Sequence, residues 1–182
     1  MVGVAAPDDL RPLLDAAREG DDHAVRELVR RTQPVMWRLC SALGSPGEED
    51  DLVQETYLRA LRSLPSYRGD APVRSWLLSI GRHVCADHVR RRTRQRRLVE
   101  RITRSTSVPS GDVAGGADAD ALHEFVGALG DDRREAFVLT QIVGLSYEEA
   151  ADVVGCPIGT IRSRVARARL DLVDALRRAD AV

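Results

Sequence analysis

Between Gly144 and Leu170 the chain reads GLSYEEAADVVGCPIGTIRSRVARARL, a segment that leaves room for little but two short helices about a tight turn. Ser146 and Glu149 have the spacing of a capping box, in which each side chain satisfies an orphan backbone donor at a helix start. Ala150, Ala151 and Val154 then form the apolar side of the first helix. Gly155 supplies a stop, and Pro157 suits the first turn of a second helix, where its missing N–H costs nothing. From that turn Ile158, Ile161, Val165, Ala168 and Leu172 recur at three- and four-residue steps. At about 100° per residue they make one apolar stripe.

Opposite the stripe fall Gly159, Thr160, Arg162, Ser163, Ala166 and Arg167, a mixture of small residues and fork-shaped donors able to approach base edges in a major groove. Arg164 and Arg169 flank this face, where phosphates would lie. No acid stands among the arginines between Pro157 and Leu170, unlike the balanced pattern of a solvated helix. The pattern predicts a helix-turn-helix that reads duplex DNA, with Thr160, Arg162, Ser163, Arg164, Ala166 and Arg167 at the interface.

From Leu10 to about Leu98 apolar residues keep the same three-to-four period, with no convincing period-two strand, so the predicted fold class is all-α. Asp21 and Asp22 start a helix through Leu28 and Cys40 that Ser45-Pro46-Gly47 breaks. A second runs from Glu48 to Leu64, its first turn holding Glu48, Glu49, Asp50 and Asp51 where the helix dipole favours negative charge. Leu52, Val53, Leu58 and Leu61 read as its core residues. After the loop Ser66 to Pro72, a long helix spans about Val73 to Arg97. Val73, Trp76, Leu77, Ile80 and Val84 form its buried stripe, while Ser75, Ser79, Arg82, His83, Ala86 and Arg90 share another face. Composition changes after Ile102: Thr103 to Asp120 is rich in Ser, Gly, Ala and Asp and cannot bury much apolar surface. Helical periodicity resumes near Ala121. The expected organisation is two small helical domains, 1–98 and 121–182, on a flexible tether of 99–120, the second marginal in stability by itself.

Net charge is only −1, but it is strongly segregated. Residues 1–60 hold twelve acids against seven arginines, whereas Arg82 to Arg104 holds nine arginines against Asp87 and Glu100. A near-neutral chain can thus own a basic nucleic-acid surface. All 27 basic residues are arginine, planar and permanently charged. No apolar run of about 18 residues and no signal-like N-terminus is seen, which points to a cytoplasmic protein without membrane insertion. Cys40, Cys85 and Cys156 are odd in number and widely spaced, against a disulfide framework. His83, Cys85 and His88 would stand at roughly 0°, 200° and 140° around a helix, too divergent for a metal. No phosphate loop, nucleophile elbow or carboxylate pair occurs, so neither a cofactor nor an enzyme is expected.

Three blocks together resemble the extracytoplasmic-function group of bacterial RNA polymerase sigma factors. They are DDLVQETYLRAL from Asp50, YRGDAPVRSWLLSIGRHVCADHVRRR from Tyr67, and LGDDRREAFVLTQIVGLSYEEAADVVGCPIGTIRSRVARAR from Leu129. The resemblance implies a sigma-2 domain, a linker and a sigma-4 domain that direct core polymerase to two-part promoters without any covalent step. It implies docking on the β′ clamp helices through Asp51, Gln54 and Glu55. It places the −10 element, with a flipped base, on Tyr67, Arg68, Gly69 and Asp70 and on Ser79, Arg82, His83, Asp87, Arg90 and Arg91. Asp87 carries two readings, a DNA contact or an ion pair with an arginine. Trp76 reads as core; Leu77 breaks the aromatic pair that housekeeping sigma factors carry, which implies more promoter-demanding melting. The third block would bind the −35 element and the β flap, and an anti-sigma factor is the further partner implied. The alternative reading is a stand-alone helix-turn-helix transcriptional regulator, which leaves the first two blocks unexplained.

Overall fold

The structure is a computed structural model that describes residues 9–103 and 125–179. Helix α1, Arg11–Arg18, buries Leu14 and Ala17. Helix α2, Asp22–Leu43, starts at Asp21, whose carboxylate accepts from the amides of His23 at 2.7 Å and Ala24 at 3.2 Å. That cap satisfies two of the donors a helix start leaves open. Helix α3, Glu49–Ser63, carries acids through its first turn as expected and is followed by a 3-10 turn, Leu64–Ser66. Helix α4, Val73–Thr103, continues past its predicted end at Arg97 into residues assigned to the linker. Arg, Gln, Leu and Glu are all good helix formers, and the change of composition begins only after Ile102. The rest of the expected linker lies outside the described residues.

In the second half a helical stretch over 125–127 precedes α5, Asp131–Phe137, which is extended by one π-helical turn, Val138–Ile142. Helix α6, Tyr147–Val154, opens on the expected capping box: Glu149 N–H donates to Ser146 Oγ at 3.1 Å and Ser146 N–H to Glu149 Oε2 at 2.8 Å. It closes on Gly155, which takes the left-handed conformation at φ 74° that a Cβ would strain. Helix α7, Ile158–Ala179, buries Ile161, Val165, Ala168 and Leu172, the stripe its sequence spells out. Val153 is the more deeply buried valine of α6, and Val154 packs half-buried against the same core.

Two expectations fail on α3 and α4. Leu52 and Val53 are buried with Thr56, Tyr57 and Ala60, but Leu58 and Leu61 are exposed, because at 100° steps they fall on the far side of the helix. Ser75, read as lying on a face apart from the buried stripe, is buried too. It shares the edge of α4 on which Arg74 donates to the Val143 carbonyl at 3.1 Å and Arg82 meets Glu135. The second half of the chain covers that edge.

This contact changes the architecture. Buried apolar residues of both halves form one continuous core, in which Met36, Leu39, Leu77 and Leu78 join Leu139, Val143, Ala150 and Ile161. Helix α2 packs on the π turn and α4 on α6. A smaller cluster of Leu129, Ala168 and Leu172 with Phe125 and Phe137 closes the far end of the second half. So short a helical unit has too little interior to bury all its apolar side chains, and the first half supplies the missing wall. Cys40 and Cys85 are buried against each other; their mutual contact, then burial, holds the Cys40 thiol protonated well above the ordinary range. Among the described residues no helix is long and apolar enough to cross a membrane, and no His, Cys, Asp and Glu group could hold a metal.

Candidate nucleic-acid interface

Helix α7 presents Arg162, Ser163, Ala166 and Arg167 to solvent, with Thr160 half-buried at their N-terminal edge. Ser163 Oγ donates to the Thr160 carbonyl at 2.9 Å, a helical back-bond that leaves its lone pairs outward. Arg162 and Arg167 make no hydrogen bond or ion pair among the described residues. Arg164, expected beside them, is drawn toward α5 instead: its guanidinium holds Asp132 at 2.5 Å, and its side chain is 23% exposed. Arg169 likewise donates to Gln141 Oε1 at 2.9 Å, and Arg133 pairs with Asp171 at 2.6 Å. Three side-chain ties thus clamp α7 to α5 and the π turn, and of its arginines before Leu170 only the guanidiniums of Arg162 and Arg167 stay unpaired among the described residues.

The loop between α3 and α4 is built around Tyr67. The sequence reading placed Tyr67 against DNA, but it is 6% exposed, its ring 4.9 Å from that of Trp76 and its hydroxyl donating to the Ala71 carbonyl at 2.5 Å. It closes the loop from inside, since an aromatic ring between two helices is worth more buried than solvated. Arg68, Gly69 and Asp70 stand exposed on the rim. On α4, Ser79 Oγ donates to the Trp76 carbonyl at 2.7 Å, and His83 bridges the Ser79 carbonyl at 2.7 Å and Arg82 at 3.0 Å. Arg82 itself is taken by Glu135 at 2.5 Å, each side chain 19% exposed. Asp87 follows its ion-pair reading: Arg90 at 2.7 Å, then Arg59 at 3.1 Å, hold its carboxyl below the usual range. Arg91, Arg94, Arg96 and Arg97 are exposed along the end of α4. A groove of about 470 Å³ runs between α4 and α5, with Arg82, His83 and Arg90 on one wall and Asp131, Asp132 and Glu135 on the other.

On α3, Asp51 and Gln54 are exposed and unpaired among the described residues, whereas Glu55 holds Arg59 at 2.7 Å. Leu58 and Leu61 continue the same face. The spacing 51, 54, 58, 61 is itself a helical stripe, so the signal for a mixed polar and apolar exposed face is in the sequence; hydrophobicity alone assigns the two leucines to the core. Arg11, Arg59 and Glu135, which contact Tyr67, Glu55 and Arg82 respectively, carry no such signal.

Residues 28–95 match the family described as Sigma-70 region 2, and residues 119–172 match Sigma-70, region 4. This is the two-region plan of the sigma-70 family. The ECF RNA polymerase sigma factor SigC of Mycobacterium tuberculosis is 42% identical over 172 residues, 93% of this chain and 92% of that protein. In structure the chain resembles CnrH, solved with the cytosolic domain of CnrY, at TM-score 0.73 and 31% identity over 93% of this chain and 97% of that one. It also resembles the sigma factor RpoE of Bartonella quintana, solved with the anti-sigma factor NepR, at TM-score 0.66 and 28% identity over 84% and 96%. The chain belongs to the extracytoplasmic-function RNA polymerase sigma factors: it is an alternative sigma factor that directs promoter-specific transcription initiation. A stand-alone helix-turn-helix regulator has no place for the region 2 half.

Proposed function

We propose that residues 1–98 form a sigma-2 domain for polymerase docking and −10 opening, residues 121–182 a sigma-4 domain for the −35 element, and residues 99–120 their linker. Asp51, Gln54 and Glu55 dock on the β′ clamp helices, and Leu58 and Leu61 add apolar area to that contact. Arg68, Gly69 and Asp70 receive the opened −10 strand, with Ser79, Arg82, His83, Arg90 and Arg91 beside them. Tyr67 acts from beneath as the loop's strut, and Asp87 by holding Arg59 and Arg90. Unstacking a base costs a few kcal/mol, which capture in such a pocket offsets without nucleotide hydrolysis. Arg162, Ser163, Ala166 and Arg167 read −35, while Arg164 braces the helix that carries them.

One observation carries this assignment: of the α7 arginines before Leu170, Arg164 and Arg169 are tied to the fold while Arg162 and Arg167 stand free on its outward face. The partners are core RNA polymerase, through the β′ clamp helices and β flap, and promoter DNA. An anti-sigma factor joins them, a reading supported by the similar sigma factor RpoE, solved with the anti-sigma factor NepR. The protein works in the cytoplasm, beside the polymerase, and catalyses no step of its own. The test is run-off transcription with mapped start sites: core polymerase plus this protein initiates specifically, while the protein alone binds promoter duplex poorly. Tight operator binding without polymerase would overturn the reading. Arg162→Ala and Arg167→Ala should each lose about 1–3 kcal/mol of −35 discrimination where the side chain makes a bidentate guanine contact.

A further inference from the structure

Helix α1 lies ahead of residues 28–95, the stretch that matches region 2, yet it reaches the −10 loop. Leu10 and Leu14 anchor it in the core, and this seats Arg11 against the loop's inner side. The Arg11 guanidinium carbon lies 5.2 Å from the centroid of the Tyr67 ring, on which the planar group stacks as a cation on a π face. Its Nε grips both oxygens of Asp15 one turn later, at 3.0 and 3.2 Å, which sets the plane of the guanidinium. Gly69, at φ +84°, runs close against the Nη1 edge of that group: a Cβ there would collide with the Arg11 guanidinium. Trp76 braces Tyr67 through the second ring contact. The loop backbone is therefore clamped by α4 through Trp76 and by α1 through Arg11, with Arg68 and Asp70 exposed on its rim.

We propose that Arg11 is a positioning residue for −10 recognition, holding the 67–72 loop in the shape that presents Arg68 and Asp70 to the opened strand. This rests on the assignment of that loop to the −10 element. Arginine is required because one group must lie over Tyr67, reach the Gly69 backbone with its Nη1 edge and bond Asp15 through Nε at once; a lysine ammonium supplies the charge without the plane or the fork. A loop held to within a fraction of an ångström selects among bases, and a loop free to shift binds them more evenly.

The test uses holoenzyme assembled from core RNA polymerase and the full-length protein carrying Arg11→Ala, Arg11→Lys or Asp15→Asn. Binding to a premelted promoter fragment is measured with the native −10 sequence and with single-base substitutions in it, beside competition for core and preference for −35. The expected result is a loss on the order of tenfold in −10 discrimination for both Arg11 variants. Asp15→Asn should show a smaller loss in the same direction, and core and −35 binding should stay at wild-type levels. Undiminished discrimination in Arg11→Ala overturns the proposal. So does full activity of Arg11→Lys beside a defective Arg11→Ala, which marks a phosphate contact, and so does parallel loss of core and −35 binding, which marks a general folding role. A wild-type holoenzyme that starts transcription but ignores −10 substitutions overturns the loop's assignment itself, a result read before any variant is compared.

Discussion

At the scale of single residues, Glu27 on α2 is gripped by Arg30 at 2.7 and 2.8 Å and by Arg31 at 2.7 Å. These bonds, Arg30's first, bring its carboxyl from 4.5 down to about 2. A carboxyl depressed on folding adds stability that is full above its unfolded pKa and is lost as pH falls through the folded one. Glu27→Gln should therefore flatten the fall in urea-denaturation stability between pH 4.5 and about 2; identical slopes in variant and wild type would exclude this role. The α7 arginines show the same dependence on neighbours. Arg162, Arg164, Arg167 and Arg169 look alike in sequence. Periodicity sets Arg164 and Arg169 on the flanks of the outward face, but nothing local to α7 announces that Asp132 and Gln141 hold them.

At the scale of elements, the turn between α6 and α7 depends on its caps. Ser146→Ala removes one capping partner and strands the Glu149 N–H; it should cost about 1 kcal/mol, read as a lowered denaturation midpoint with unchanged slope. On α3 the consequence is for binding. Leu58→Ser with Leu61→Ser alters exposed side chains only, so folding stability should hold while competition for core polymerase weakens; unaltered competition would remove both leucines from the docking face. The helix starts at Asp21 and Ser146 and the stripe of α7 were legible because a cap and a period are written within a few residues. The π turn was not. The bond from Val143 N–H to the Val138 carbonyl at 2.9 Å adds one residue to a helical turn without disturbing the apolar pattern around it.

At the scale of the whole molecule, the acidic start of α5 faces the arginines of α4, and Arg82 bonds Glu135 rather than solvent. The proposed contact of Arg82 with the −10 strand requires that pair to open and the two halves to part along α4. Glu135→Gln weakens the pair while keeping its volume, so the free protein should bind a −10 single strand a few-fold more tightly, since a charge-assisted bond contributes roughly 1.5–3 kcal/mol before compensation. Fluorescence titration of wild type and variant checks this; equal affinities would mean that Glu135 does not mask Arg82. Because one core spans both halves, cooperative unfolding of the described fold as a unit is expected as well, in place of two separate transitions.

The capped helix starts at Asp21 and Ser146, the helix-turn-helix and the outward face of α7 were determined by the sequence alone, because 3.6-residue periodicity and capping act over a turn or two of chain. Family membership was legible too, from ordered blocks of residues. Tertiary structure alone decided which charged groups stay free. Arg82 meets Glu135 across 53 residues and Arg164 meets Asp132 across 32, and Tyr67 turns inward because Trp76 and Arg11 are there to receive it. An exposed arginine and a paired one have the same local sequence pattern. Their difference is electrostatic and depends on a partner that only folding brings within about 3 Å.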